Sequence, residues 1–416
     1  MRRLFKWLLV LGLVLVATVG GLLWRLNQGP LSLAPVQPLL DTLVARGVPY
    51  QVSFTRPSLV WLRDKGTIAL EIHDVEARTE AGAFVASAPM LRGQIAARPL
   101  LLGRLELVAA EIELPGIELT RNADSKLVLS FGGKLADVVL GESGGDEGLD
   151  KLMGGASESA DPRVSHLRLV QIAAPSLQFV DAVSGDRATA TDPVFELEQK
   201  KGVWTASLSV RLGDGHVEAS TEPAATSPLE QVTIQFQRLQ AQDFAAFAPD
   251  LPLAGIAVPV SGTVGFTFDP TTAARGSATI DLTAGAGEIG VASLGLAPIP
   301  ITGGSLRGRL AAGWLSGEIE RCELAAPGYS LNLAGKLGLA EHGVDADLTL
   351  GAADLDVAEI LQLWPKSLGG YARDWVVANV PVGQVSAAKF QLSSHSNRPN
   401  QPELGGQFRF SGMQLR

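Results

Sequence analysis

Residues 103–121 read GRLELVAAEIELPGIELTR. Leu105, Leu107, Ile112, Leu114, Ile117 and Leu119 recur at alternating positions, with Glu106, Glu111, Glu113 and Glu118 between them. A strand turns successive side chains to opposite faces, so this is the texture of a ribbon that is apolar on one side and charged on the other. The texture returns in TIALEIHDVEA, VSHLRLVQIAAPSLQFVDA, GVWTASLSVRLG, EQVTIQFQRLQ, GSLRGRLAAGWLSGEIERCELAA, YSLNLAGKLGL and GQVSAAKFQLSS. Strands come every 8 to 15 residues with turns between them, the mark of a loosely repeating β architecture. What covers so long an apolar face decides both fold and function.

The composition agrees with strands. Hydrophobic residues make up 46% and charged residues 19% of the 416 residues, and mean hydropathy is +0.21. Such a chain is not disordered. Forty-six Gly and 24 Pro with only 6% aromatics favour many short strands over a helical bundle. The net charge of −9 offers no basic patch for nucleic acid. A single cysteine, Cys322, excludes an intramolecular disulfide and reads as a small strand residue.

The first thirty residues, MRRLFKWLLVLGLVLVATVGGLLWRLNQGP, point to a membrane. Arg2, Arg3 and Lys6 precede an uncharged stretch from 7 to 24, and eighteen helical residues span about 27 Å, close to the hydrocarbon thickness of a bilayer. Trp7 and Trp24 sit at its two ends, where indoles prefer the interface. A cleaved signal peptide would have a shorter apolar core and small residues at its end, so an uncleaved anchor over 1–26 with a cytoplasmic N-terminus is the expectation. Residues 27–131 then read as a β region opened by a short helix around Leu39, Leu40, Leu43 and Val44. Residues 132–162 are rich in Gly, Ser and acid, lack alternation and read as a flexible insertion. Residues 163–416 resume the strands, with short helices near 354–364 and 367–379. The second of these carries Tyr371 and Trp375 four apart on one face. Because the alternation is still running at Arg416, the chain reads as a portion of a longer protein.

Catalytic and metal patterns were sought along the chain. None of the five histidines has a helical i, i+4 ligand partner, and there is no HExxH. His73-Asp74 lies inside a strand pattern and reads as a polar strand pair. GAGEIG (285–290) matches a dinucleotide fingerprint, but Pro298 and Pro300 oppose the helix that must follow it. AGKL (334–337) lacks the rest of a phosphate loop, and no G-x-S-x-G is present. The expectation is a protein that is not an enzyme, with no cofactor and no metal.

The opening anchor and PVQPLLDTLVARGVPYQVSF, then LVWLRDKGTIALEIHDVEAR, LRGQIAARPLLLGRLELVAAEIELPGIELTRNADSKLVLSF, SLQFVDAVSG and LWPKSLGGYARDWVVANVPVGQVSAAKFQL together resemble the AsmA-like superfamily of Gram-negative envelope proteins (AsmA, TamB and YhdP types), the last stretch being most similar to the YhdP type. The resemblance covers nearly the whole chain and rests on patterns, without invariant catalytic residues. It implies a mainly β fold: a transmembrane helix followed by a long, curled, mostly antiparallel sheet whose concave apolar groove carries phospholipid acyl chains from the inner toward the outer membrane, with the bulk of the chain periplasmic. On that implication the groove candidates are Leu70, Ile72, Leu105, Leu107, Ile112, Leu114, Ile117, Leu119, Leu127, Leu129, Leu177, Phe179, Leu208, Val210, Ile234, Phe236, Phe266, Ile280, Leu282, Leu331, Leu333, Leu348 and Leu350. Phospholipids, the inner membrane and an outer-membrane component are the implied partners. Two alternatives stand beside it: a β-sandwich whose apolar face is a dry core, and a scaffold for outer-membrane protein assembly that works by strand addition at sheet edges. Periodicity alone does not separate them.

Overall fold

The computed structural model describes residues 21, 24–38, 40–41, 51–62, 67–78, 84–96, 106–123, 127–131, 138–140, 167–200, 203–222, 231–244, 255–268, 275–290, 298–340, 343–364, 370–396 and 403–415. The fold is mainly β with a few short helices. Contacts divide it into two compact units, Met1–Trp204 and Thr205–Arg416. The expected anchor lies outside the described residues apart from Gly21, Trp24, Arg25 and Leu26, and Arg2, Arg3, Lys6 and Trp7 lie outside them, as do most of the expected helix around Leu39–Val44 and, apart from 138–140, the expected insertion over 132–162; among the described residues no helix is long and apolar enough to cross a membrane.

The first unit holds β1 (Leu31–Ser32), β2 (Gln51–Leu62), β3 (Thr67–Arg78), β4 (Phe84–Ile95), β5 (Leu107–Glu113), β6 (Ile117–Arg121), β7 (Leu127–Phe131), β8 (Val138–Leu140), β9 (Leu169–Ala173), β10 (Ser176–Asp181) and β11 (Arg187–Lys200). Antiparallel pairing joins β1 through β5 in chain order. The sheet is mixed, because β9 runs parallel to β5 and β10 parallel to β6. β11 lies antiparallel to both β9 and β10, and β7 and β8 extend the ladder from β6.

The alternation of residues 103–121 is not one uninterrupted ribbon. Its phase slips between Leu107 and Ile112, where the β4–β5 register shifts at Gln94/Ile95, and again between Leu114 and Ile117, around Pro115-Gly116. The second slip belongs to a line that crosses the sheet. Arg56-Pro57 in β2, Asp74 in β3, Pro89 in β4, Pro115-Gly116 between β5 and β6, Pro175 between β9 and β10 and Asp192-Pro193 in β11 are neighbours through the register. Arg56, Asp74 and Asp192 have positive φ, near 50°. Proline removes a ladder donor and a bulge adds an unpaired residue, and both bend a strand. Residues three apart flank each interruption and share one face: Phe54 and Pro57, Ile72 and Val75, Ala88 and Leu91, Leu114 and Ile117, Ala174 and Leu177, Ala190 and Pro193. An extra residue would send every later side chain to the other face. Placing it at one level at all six points keeps the apolar side in register from strand to strand.

The second unit is a meander. β12 (Val203–Leu212) pairs with β13 (Gly215–Glu222), β13 with β14 (Gln231–Gln240), β14 with β16 (Pro259–Phe268), β16 with β17 (Arg275–Ala284), and β17 with β20 (Gly303–Leu310). β20 pairs with β21 (Ser316–Ala326), β21 with β22 (Tyr329–Ala340), β22 with β23 (Gly343–Asp356), β23 with β24 (Val382–Ser394) and β24 with β25 (Glu403–Gln414). Every one of these pairs is antiparallel. A small separate sheet is made by β15 (Ile256–Ala257), β18 (Gly287–Ile289) and β19 (Ile299–Ile301), so GAGEIG is a turn running into a strand. Turn chemistry sets the hairpins. Gly213-Asp214 closes β12–β13 with Gly213 at φ 54°, and Pro327-Gly328 closes β21–β22 with Gly328 at φ 100°. The helices of this unit are α1 (Ala241–Phe244), α2 (Val357–Leu363) and α3 (Gly370–Asn379). Asp356 accepts from the Glu359 amide and Glu359 accepts from the Asp356 amide, both at 2.8 Å, a reciprocal cap that starts α2 directly after β23.

Candidate functional site: the apolar sheet faces

Residues paired across a ladder share a face, so the register of the second unit can be followed from strand to strand. One row runs Val210, Val217, Phe236, Gly262, Leu282, Leu306, Cys322, Leu333, Leu350, Phe390, Gly406. The neighbouring row runs Leu208, Ala219, Ile234, Val264, Ile280, Gly308, Ile319, Gly335, Leu348, Leu392, Leu404. Neither row contains a polar side chain other than the Cys322 thiol. The opposite face is charged. Arg307 donates to Asp281 (Nε, 3.1 Å), Arg309 to Glu318 (3.1 Å) and Glu320 (2.9 Å), and Ser393 to Asp347 (2.6 Å). These pairs are exposed, add little stability and keep their side in water.

The apolar rows are not a dry core. Among the described row residues only Val210 and Gly308 are buried; the others retain part of their exposure, and Leu350 keeps 39%. In a sandwich a second layer would exclude water from both rows. Among the described residues, cover over the face is local. At one side Ile360 and Leu363 of α2 pack with Ala352, Leu355 and Val385. Arg373 of α3 donates to the carbonyls of Leu361 (3.2 Å) and Trp364 (3.3 Å), satisfying groups that the end of α2 leaves open. Tyr371 and Trp375 of α3 are 98% and 57% exposed. Toward the other side, the β20–β21 connection brings Trp314 edge-on against Phe266 (centroids 5.9 Å apart, 83° between planes).

Glycine is what lets the rows pass two irregular points. Gly262 and Gly335 have φ near +149° and +147°, and a Cβ on either would lie 2.1 Å from the carbonyl oxygen of Asp281 or Asp347. Burial, and then the Glu323 carboxylate, pushes the Cys322 thiol up from its ordinary value, which keeps it protonated and apolar.

In the first unit the apolar side is consumed by its own packing. Phe54, Ile72, Val75, Ala88, Leu114, Ile117 and Ala174 form one buried cluster along the line of interruptions, with Leu40, Val52, Leu70, Leu91, Ile112, Ile172 and Leu177 packed against it. The other face is polar. Arg92 bridges Glu71 and Glu111 (3.0 Å each), Gln94 donates to Glu111 (2.9 Å), and His73 lies 3.1 Å from Glu71. Burial opposes the charge on Arg92, but its two carboxylate partners outweigh that and raise its pKa. His73-Asp74 is thus divided between two structural roles, with Asp74 accepting from Thr55 (2.6 Å) and Arg56 (3.0 Å). Asp181, 1% exposed, accepts from the amides of Val183 (2.8 Å) and Ser184 (3.3 Å) and from Arg121 (3.2 Å). Those amide bonds hold its carboxyl below the usual range and close the β10–β11 turn.

The sequence candidates therefore fall into two groups. Leu208, Val210, Ile234, Phe236, Phe266, Ile280, Leu282, Leu331, Leu333, Leu348 and Leu350 are brought to one face of the second unit. Leu70, Ile72, Ile112, Leu114, Ile117 and Leu177 belong to the first unit's cluster. Leu107 pairs with Ile95; Leu119 pairs with Leu129 and Phe179, and Leu127 with Arg121. Leu105 lies outside the described residues. Sequence reasoning missed Val217, Val264, Leu306, Ile319, Cys322, Phe390, Leu392 and Trp314. The alternation of GSLRGRLAAGWLSGEIERCEL carried several of them, but glycines take apolar-face positions there and a bulge shifts the phase at Arg307/Gly308. Among the described residues no cluster of His, Cys, Asp and Glu has the geometry to hold a metal. No protein-family model, no curated protein and no solved structure gives a significant match to the chain.

Proposed function

We propose that this chain is a membrane-anchored lipid conduit of the AsmA-like kind. Residues 7–24 anchor it in a bacterial inner membrane, the remainder lies in the periplasm, and a curl of the sheet turns the apolar side of the second unit into a groove. Acyl chains of phospholipids lie against the two rows while head groups stay in water, and lipid passing between inner and outer membranes supports outer-membrane integrity. The observation that carries this reading is the pair of apolar rows that cross eleven strands, from β12 to β25, and whose residues, among those described, stay partly exposed at all but two positions. Each methylene moved from water onto such a face contributes about 0.8 kcal/mol, so even a partly covered chain is held. No residue has to react, and the site needs no cofactor.

The test is to purify the full chain in mild detergent and identify bound lipid by mass spectrometry, alongside Leu333→Asp with Leu350→Asp on the apolar face and Asn332→Asp on the polar face. Phospholipid bound to the parent and to Asn332→Asp, and lost from the double variant while its circular dichroism is unchanged, is the expected result. A folded parent chain without lipid would turn the reading toward a scaffold that works through its strand edges.

A further inference from the structure

The β20–β21 connection does more than turn the chain. Ala311–Ser316 closes on itself through Ala311 N–H to Ser316 O (2.8 Å) and Trp314 N–H to Ala311 O (3.0 Å), and Leu339 N–H to Leu315 O (2.7 Å) ties it to β22. Gly313 and Trp314 both have positive φ, 80° and 62°. For glycine that conformation is easy; for a residue as bulky as tryptophan it is strained and needs surrounding contacts to hold it. Here the holding contacts are the Leu339–Leu315 bond and the edge-on packing of the indole against Phe266. In this conformation the indole lies against Phe266, which belongs to the apolar face.

Beneath the turn is a cleft of about 350 Å³. It is lined by Ile280, Leu306 and Ile319 of the two apolar rows and by Leu310, Trp314, Leu315, Leu337 and Leu339. Leu315 and Leu339 are 64% and 61% exposed, so the cleft is open, and it shares Ile280, Leu306 and Ile319 with the rows. Its charged neighbours are spoken for, since Arg309 is bonded to Glu318 and Glu320. The volume, about a dozen water-sized groups at roughly 30 Å³ each, suits part of one ligand chain and not a folded protein segment.

From this we infer that the Trp314 turn is a clamp for a single hydrocarbon chain of a phospholipid, a fixed stop on the apolar face where one acyl chain is held under the indole. The inference rests on the lipid-conduit reading and assigns that reading a residue-level binding site. A free fatty acid would offer the same alkyl chain. The row residues Ile280, Leu306 and Ile319 that line the cleft favour a chain that arrives along the sheet still attached to its head group, and Arg309, the one cation among its described lining residues, is already bonded to Glu318 and Glu320.

The test places a photo-reactive phenylalanine analogue at Leu339 in one full-length preparation and at Phe236, on the rows but outside the cleft, in another. Each is illuminated with vesicles of phosphatidylethanolamine and phosphatidylglycerol, and separately with palmitate. Phospholipid adducts are expected at both positions. Trp314→Ala should lower capture at Leu339 about fivefold and leave capture at Phe236 unchanged, and Trp314→Phe should restore most of it, which shows that an aromatic cover and not the fold is at issue. Capture at Phe236 without capture at Leu339, equal capture in Trp314→Ala, or adducts from palmitate alone would each overturn the clamp while leaving the conduit standing. No adduct at either position would remove both.

Discussion

Leu114 and Ile117 flank Pro115-Gly116 in the first unit and are 9% and 8% exposed; Leu333 and Leu350 face each other across a ladder in the second and remain open to solvent, Leu350 at 39%. The residue types are the same and so is the alternation. The difference lies in the breaks. The ladder of the first unit is interrupted at six points on one level, and apolar residues from both sides of that level pack into one cluster joined by Leu40. The second unit spreads its irregularities among isolated bulges, α2 covers only one part, and most described residues of its rows stay partly exposed. An apolar strand face is a core where its own side chains pack together and a surface where they do not. The same leucine pattern therefore contributes stability in one unit and, on the proposed function, binding in the other.

The largest effect that would test this contrast is Ile117→Ala. Removing a buried side chain that its neighbours cannot refill should destabilise the first unit by about 2–5 kcal/mol, read by denaturant unfolding with hydrogen exchange followed over 107–121. Gly335→Ala comes next. Its Cβ would collide with the Asp347 carbonyl at 2.1 Å in a conformation that L residues rarely adopt, so β22–β23 pairing should loosen by about 2 kcal/mol, with the new exchange confined to those strands. Asp181 tests the first unit by pH. Its folded pKa is lowered, so the stabilisation it gives is present above the unfolded value, about 3.9, and is lost as pH falls through the folded value. Asp181→Asn should lower stability at neutral pH and flatten the acid-side fall of the first unit. Leu350→Ala should be the smallest. A partly exposed side chain on an uncovered face contributes under about 1 kcal/mol to folding, so its unfolding curve should nearly overlay the parent's while bound lipid decreases. A Leu350→Ala cost as large as that of Ile117→Ala would erase the contrast and return the second unit to an ordinary core.

Much of the architecture was legible from alternation alone, because a two-residue period survives in nearly every strand from TIALEIHDVEA to GQVSAAKFQLSS. The short helices were legible as well: LDVAEILQLW carries its own reciprocal cap at Asp356 and Glu359. What the alternation did not show is where its phase slips. Leu107 to Ile112 and Leu114 to Ile117 are odd spacings, and each coincides with a bulge or a proline. That these slips line up across β2, β3, β4, β5–β6, β9–β10 and β11 is a property of register, and register depends on partners distant in sequence; the parallel pairings of β5 with β9 and β6 with β10 bridge more than fifty residues. The division between covered and uncovered leucines follows from that alignment. Gly262, Gly308 and Gly335 hid parts of the rows because a glycine scores as a break in the pattern while its backbone holds a place on the apolar face. Trp314 was missed for a related reason, since a tryptophan in a turn gives no period to detect.

Cys322 gives a direct probe of the uncovered face. It is the one cysteine of the chain, half-buried in the row between Leu306 and Leu333, and needs no mutagenesis to label. A nitroxide attached there reports access to dissolved oxygen and to a water-soluble nickel chelate. The chain in mild detergent would be measured before and after vesicles of phosphatidylethanolamine and phosphatidylglycerol are added. If the rows bind acyl chains, lipid will raise access to oxygen and lower access to the chelate. A label shielded from both at the start and unmoved by lipid would mean that protein already covers the face, and the conduit would be wrong.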